Sequence, residues 1–241
     1  YLFSRLLKTE PLITTIINKK PNEATKQIEY ALETLAMIQG GAMNRLTITP
    51  EGGHLQISDQ ENTYEHTFRY YNHLESLRKR FIGTPDEPRF GENEYLQTFL
   101  DHYQEFIRQE QQLTFIHGDF SKENIFEQGA IIDFEKTSIG DPTIDVAQLL
   151  TDPLLNNLNK DALLMHHLKE LKKYTNIDDA IYIQNYKKNF LHVSLEQAGA
   201  YLLQRRPEIN AFLIQAQTLM PRTMLESFNK YIRKYKEKTN T

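Results

Sequence analysis

Apolar residues recur at helical spacing over much of this chain. Ile28, Leu32, Leu35 and Ile38 follow Pro21 and Asn22, so a helix begins near 22, with Asn22 as its cap. Gly40 and Gly41 are expected to end it. Leu46-Thr47-Ile48 and Leu55-Gln56-Ile57 alternate about Pro50-Glu51-Gly52-Gly53, which reads as a hairpin over 46–57. Phe68, Tyr71, Leu74 and Leu77 predict a second helix over about 62–81. Two prolines and two glycines make 83–91 a loop. The clearest stripe is Tyr95, Leu96, Phe99, Leu100, Tyr103, Phe106 and Ile107, a core-facing helix over about 92–110.

The texture changes at Leu113. From there to Leu150 short apolar runs alternate with polar loops, and Ile125-Phe126 and Ile131-Ile132 flank Gln128-Gly129 as a tight hairpin would. Helical spacing returns over about 160–174, 179–204, 208–219 and 222–236, with Pro207 and Pro221 as breaks. The expected class is α+β, predominantly helical, with a small β-hairpin insert in the middle.

Composition narrows the chemistry. The 241 residues suffice for one large or two small domains. A net charge of −4 argues against a general nucleic-acid binder, since the basic residues at the C-terminal end are diluted by acidic ones. With no cysteine, disulfides, thiolate metal sites and a cysteine nucleophile are excluded, which fits a cytoplasmic protein. No apolar run approaches the roughly 20 residues of a membrane span. His166-His167 and His192 read as surface or partly buried residues rather than metal ligands.

The informative stretch runs from Phe115 to Leu150. It holds His117-Gly118-Asp119, Asn124 five residues after the aspartate, Ile132-Asp133-Phe134-Glu135, and Gly140-Asp141-Pro142 followed by Asp145. Phosphoryl transfer needs oxygen ligands for a divalent cation and a carboxylate to take or orient the proton of the attacking hydroxyl. A loop carrying Asp119 and Asn124, paired through a hairpin with a strand ending at Asp133, brings those groups together. Protein kinases share the offsets of base, metal-binding Asn and metal-binding Asp. His-Gly-Asp and Asp-Phe-Glu here depart from the protein-kinase forms.

This pattern resembles the aminoglycoside phosphotransferase and choline kinase family: His-Gly-Asp, four residues, Asn, an apolar strand ending Ile-Asp-Trp/Phe-Glu, then Gly-Asp-Pro and a further Asp. The resemblance implies the C-terminal lobe of a protein-kinase-like fold, with the N-terminal lobe largely absent. It implies Asp119 as catalytic base, His117 as a residue positioning the catalytic loop, and Asn124 and Asp133 as ligands of Mg²⁺ against the phosphates of ATP or GTP. Lys122 is a further phosphate contact, and Asp145 and Asp141 support the loop. Glu135 belongs to the motif as either a loop hydrogen-bonder or a catalytic group. Residues 1–20 would be a hinge-like remnant of the inter-lobe linker and 21–241 the helical catalytic lobe, with catalytic and metal loops over 113–150 and acceptor-binding helices over 153–236. On that reading the chain begins near the hinge and grips nucleotide poorly by itself.

The function implied is phosphorylation of a hydroxyl on a small molecule, an aminoglycoside, choline-like or sugar-like acceptor, with no nucleic-acid or membrane partner. Asp178, Asp179, Glu196 and Glu208 are acids that would suit a cationic acceptor or lie as surface charge. A non-catalytic kinase-like scaffold is the first alternative. A metal-dependent hydrolase liganded by His117, Asp119, Asp133 and Asp145 is the second. The sequence leaves the oligomeric state open.

Overall fold

A computed structural model of the chain describes residues 11–17, 20–49, 52–56, 65–68, 71–82, 94–107, 112–203 and 209–239. The segments expected as a hinge strand (Tyr1 to Leu7) and as the loop 83–91 lie outside them. The chain falls into two compact units: residues 1–70 with 111–186, and residues 71–110 with 187–241.

The first unit is organised by α2 (Pro21–Met43), preceded by α1 (Leu12–Ile17). Pro21 stands at the start of α2, where its missing N–H costs nothing. The helix buries Ala24, Ile28, Ala31, Leu32 and Leu35 along one side. That face packs on α6 (Lys160–Leu171), which offers Leu163, Leu164, Leu168 and Leu171. Each fully buried leucine or isoleucine contributes roughly 2 kcal/mol of apolar burial, so this helix pair is a substantial part of the unit's core.

One expectation fails on α2. Gly40 and Gly41 do not end α2, which continues to Met43. Gly40 instead permits a close approach, because a Cβ there would lie 2.5 Å from Tyr174 Cβ. Residues 12–17, placed in a linker by sequence, form α1. Its backbone is tied to the middle of the chain by Leu12 N–H donating to the Ile125 carbonyl at 2.9 Å.

The hairpin over 46–57 is present as β1 (Leu46–Thr49) and β2 (Gly52–Gln56). Its register pairs Leu46 with Leu55 and Thr49 with Gly52. A third antiparallel strand, β3 (Glu65–Phe68), pairs with β2 and replaces the first part of the expected helix 62–81. A second sheet joins β4 (Thr114–Ile116) to β5 (Ser138–Gly140) antiparallel, Thr114 opposite Gly140. It is followed by α5 (Thr143–Leu150), a helix that sequence reading had left among short strands.

α7 (Asp179–Leu203) begins in the first unit and continues into the second. The second unit also contains α3 (His73–Phe81), α4 (Glu94–Ile107), α8 (Ile209–Leu219) and α9 (Arg222–Thr239). Asn72 caps α3 by accepting from Glu75 N–H at 3.1 Å, which is why the helix starts there and not ten residues earlier. The stripe on α4 is core, as expected: Leu96, Phe99, Leu100 and Tyr103 are buried with Leu77, Phe81, Phe228 and Tyr231. Phe99 and Phe228 rings lie 5.0 Å apart.

A polar cluster is built into this second core. The Tyr71 hydroxyl lies 2.9 Å from His192 Nε2 and 3.1 Å from Glu196 Oε2. Ser76 also donates to Glu196, Tyr103 reaches His192 Nδ1, and His73 Nε2 lies 2.5 Å from Asn189 Oδ1. His192, read from sequence as surface or partly buried, is therefore fully enclosed. Burial pushes Glu196 up, but the charge and hydrogen bond of His192, the Ser76 hydroxyl and the charge of Arg80 bring it down to about 2. Among the described residues no helix is long and apolar enough to cross a membrane.

Candidate active site

The chemistry-bearing residues lie on the segment between β4 and β5. The β4–β5 pairing fixes the two ends of that segment side by side. Inside it, Ile125 bridges Ile131 and the Ile132 N–H donates to the Asn124 carbonyl at 3.1 Å. The turn between them has Gln128 at φ 59° and Gly129 at φ 75°, both left-handed, as a tight hairpin turn requires. Gly129 also has no room for a side chain, since a Cβ would meet the Tyr30 carbonyl oxygen at 2.4 Å. The expected hairpin is present here as bridges across a turn rather than as a ladder.

His117 is fully buried and joins the two arms. Its Nε2–H donates to the Ile132 carbonyl at 2.8 Å, and its Nδ1 accepts from Asp119 N–H at 3.2 Å. Those two bonds fix the neutral tautomer and leave neither nitrogen for a metal. The hydrolase alternative, which needs His117 as a ligand, loses that ligand. The ring of Phe134 packs edge-on against the imidazole at 4.6 Å.

Asp119 turns its carboxylate outward, its side chain about one-third exposed (34%), and Lys136 Nζ donates to Oδ2 at 2.7 Å. Asn124 Nδ2 donates to the Asp119 carbonyl at 2.9 Å. With its NH₂ so employed, the side chain offers Oδ1 as ligand atom, the type a hard cation takes. Asp133 is exposed and left-handed at φ 65°, ψ 64°, a conformation that costs a non-glycine residue of order 1–2 kcal/mol. These bonds draw Asp119, Asn124 and the backbone beside Asp133 to one end of the segment.

Asp145 sits beneath the loop, fully buried. Its Oδ2 accepts from His117 N–H at 2.8 Å and from Gln39 Nε2 at 3.0 Å, and its Oδ1 from Gly118 N–H at 3.0 Å. Burial pushes its carboxyl up to about 6, against the pull of those donors. Asp141 caps α5 through Thr143 N–H at 2.9 Å and binds Asn185 Nδ2 at 2.6 Å. Gly118 stands at φ 77° with the Lys136 carbonyl 2.3 Å from where a Cβ would be, so only glycine fits between His117 and Asp119.

Lys122 is held by two carboxylates. Its ammonium binds Asp152 and, at 2.8 Å, Glu123. Burial opposes its charge, but the two carboxylates outweigh burial and hold it above the usual lysine value. Glu135 is exposed beside Asp133. Of the acids considered for a cationic acceptor, Asp178 caps α7, Asp179 pairs with Lys172 at 2.6 Å and Glu196, 14% exposed, is bonded to Tyr71 and Ser76. Glu208 is outside the described residues.

Sequence reading missed three residues. Gln39 supports Asp145 and also donates to the Pro142 carbonyl at 3.2 Å. Gln148 straps the loop at both ends, accepting from Phe120 N–H at 3.1 Å and donating to the Gly118 carbonyl at 3.1 Å. Lys136 holds Asp119. The available signal for the glutamines was a polar side chain on an apolar helix face: Gln39 continues the buried row of Ile28, Leu32 and Leu35.

Residues 14–167 match the phosphotransferase enzyme family. A search of curated proteins finds no matching sequence. Among solved structures, a candidate aminoglycoside phosphotransferase from Ralstonia eutropha JMP134 aligns over 89% of this chain and 67% of its own, at 13% identity and a TM-score of 0.48. A choline/ethanolamine kinase family protein from Mesorhizobium loti aligns over 88% of this chain and 84% of its own, at 13% identity and a TM-score of 0.40. The family match spans well over half of the sequence and includes the whole β4–β5 segment, and on it the chain belongs to the phosphotransferase enzyme family.

Proposed function

We propose that this chain transfers the terminal phosphoryl group of ATP or GTP to a hydroxyl of a small molecule, with Asp119 as the base. The observation that supports the reading is the pair of bonds that tie Asn124 to the Asp119 carbonyl and His117 to the Ile132 carbonyl, next to Asp133, in a segment held by Asp145 and Gln148. The acceptor oxygen forms the new P–O bond as the bond from the terminal phosphorus to the leaving diphosphate breaks. The hydroxyl proton passes to the Asp119 carboxylate.

The donor set suits a hard divalent cation: an amide oxygen and a carboxylate, with the imidazole occupied elsewhere. Asn124 and Asp133 would hold Mg²⁺, which supplies charge neutralisation of the phosphate oxygens. The left-handed Asp133 is the kind of strained residue that persists where a site over-determines it. His117 keeps the two arms in register without exchanging protons.

The test is a nucleoside-diphosphate release assay with aminoglycoside, choline, ethanolamine and sugar acceptors. Asp119→Asn is expected to lower kcat by about 10²–10⁴-fold, the usual contribution of a positioned base. Asp133→Asn is expected to abolish Mg²⁺-dependent nucleotide binding. Turnover of Asp119→Asn within about threefold of the native chain would end the proposal.

A further inference from the structure

We propose that Lys136 is the side chain that grips the transferred phosphoryl group, and that it rests on Asp119 until substrate arrives. The inference rests on the phosphotransfer reading above and extends it to a residue outside the recognised motif. Lys136 Nζ lies 2.7 Å from Asp119 Oδ2. A base must approach the attacking oxygen to about 2.6–3.2 Å, and that oxygen attacks phosphorus. A cation touching the base therefore lies beside the path along which the phosphoryl group is transferred, within reach of a flexible lysine stem.

The placement is built into the fold. Lys136 closes the short helical turn Phe134–Lys136 that follows the left-handed Asp133. Its carbonyl is pressed against Gly118 so closely that a Cβ there would overlap it at 2.3 Å. The lysine backbone is therefore fixed to the same loop that carries Asp119. Its side chain is 58% exposed, on a four-carbon stem, and can swing from carboxylate to phosphate. Lys122, the lysine inside the motif, is spent on Asp152 and Glu123. Phosphoryl transfer depends almost wholly on positioning and on cations aimed at developing charge.

A further consequence is that Asp119 Oδ2 is occupied while the site is empty. The ammonium must leave for that oxygen to receive a proton, so arrival of the phosphoryl group releases the base.

The experiment compares Lys136→Met, Lys136→Arg and Asp119→Asn in two binding assays, with folding checked by thermal melting. Mg²⁺–ADP is the first probe. Mg²⁺–ADP with aluminium fluoride, a stand-in for the phosphoryl group in flight, is the second. Lys136→Met is expected to weaken the aluminium fluoride complex at least about tenfold, the usual worth of one charged contact. It should leave ADP affinity within about twofold, lower kcat more than acceptor KM, and be largely rescued by Lys136→Arg. Equal weakening of both complexes, or of neither, would overturn the assignment and leave Lys136 a tether of the loop. If Asp119→Asn keeps full turnover, the phosphotransfer reading fails and the lysine role with it. If only the lysine variants behave as native, the lysine role alone fails.

Discussion

Asp145 is the residue on which the loop's geometry most directly depends. Its two oxygens receive three N–H donors, from His117, Gly118 and Gln39, in a place without solvent access. Asp145→Ala leaves all three unpaired. An unpaired buried donor costs roughly 1–3 kcal/mol, so after some relaxation the loss should be about 3–5 kcal/mol. That is a large share of the roughly 5–15 kcal/mol that holds a domain folded. Asp145→Asn is gentler. The amide keeps one oxygen, which it should turn toward His117 and Gln39, and sets its NH₂ against Gly118 N–H. One donor is then lost, for about 1–3 kcal/mol. Burial opposes this carboxylate, raising it to about 6, so removing the charge recovers some desolvation. The donors are expected to win because no other acceptor is in place for them. Urea unfolding at pH 8, where the native carboxyl is ionised, measures the order native, then Asn, then Ala, at constant m-value. An Asn variant as stable as the native chain would show that the burial penalty outweighs the hydrogen bonds, and the support role assigned to Asp145 would be wrong.

Two further outcomes follow from packing and titration. Gly41→Ala should stabilise by about 0.5–1 kcal/mol, because it sits inside α2 with nothing within 4 Å of an added Cβ. Gly40→Ala should destabilise despite the same helical gain, because its Cβ would meet Tyr174 at 2.5 Å; thermal melts of the pair test the sign. His167 is fully buried, and burial first, then the neighbouring His166, lowers it to about 3. The unfolded chain takes up that proton near pH 6.5, so stability falls as pH drops below 6.5 and continues to fall toward 3. At pH 5 this term is about 2 kcal/mol, and His167→Gln should shrink the loss between pH 7 and pH 5 by about that amount. An unchanged pH profile would mean that His167 titrates freely.

The site was legible where its chemistry is local. His117, Asp119, Asn124 and Asp133 fall within 17 residues of one another, and the Gln128-Gly129 turn between them announces itself by residue type. Their supports were not legible, because Gln39 reaches Asp145 across 106 residues and Gln148 reaches Gly118 across 30. Nothing in a periodic pattern encodes such pairings. The long helices were found to within a few residues because each buries a continuous face. The failures came from overlapping signals. Phe68, Tyr71, Leu74 and Leu77 fit a helix, yet Phe68 belongs to β3 and the helix starts only after Asn72, whose pairing with Glu75 was the overlooked marker. Gly40 carried a turn signal but answers to Tyr174, a contact only the folded chain creates.

The pairing of β4 with β5 gives the intervening ribbon neighbouring points of entry and exit, Ile116 standing opposite Ser138. Partners across an antiparallel ladder are only about 4.5–5.5 Å apart, so the ribbon can be cut out and its stump rejoined with a minimal connector. Loop-closure entropy rises slowly with length, so ribbons of other lengths can be spliced between the same two residues at small thermodynamic penalty. The candidate site is in that sense a cassette, replaceable as a whole provided the incoming piece offers backbone N–H groups to Asp145 and Gln148.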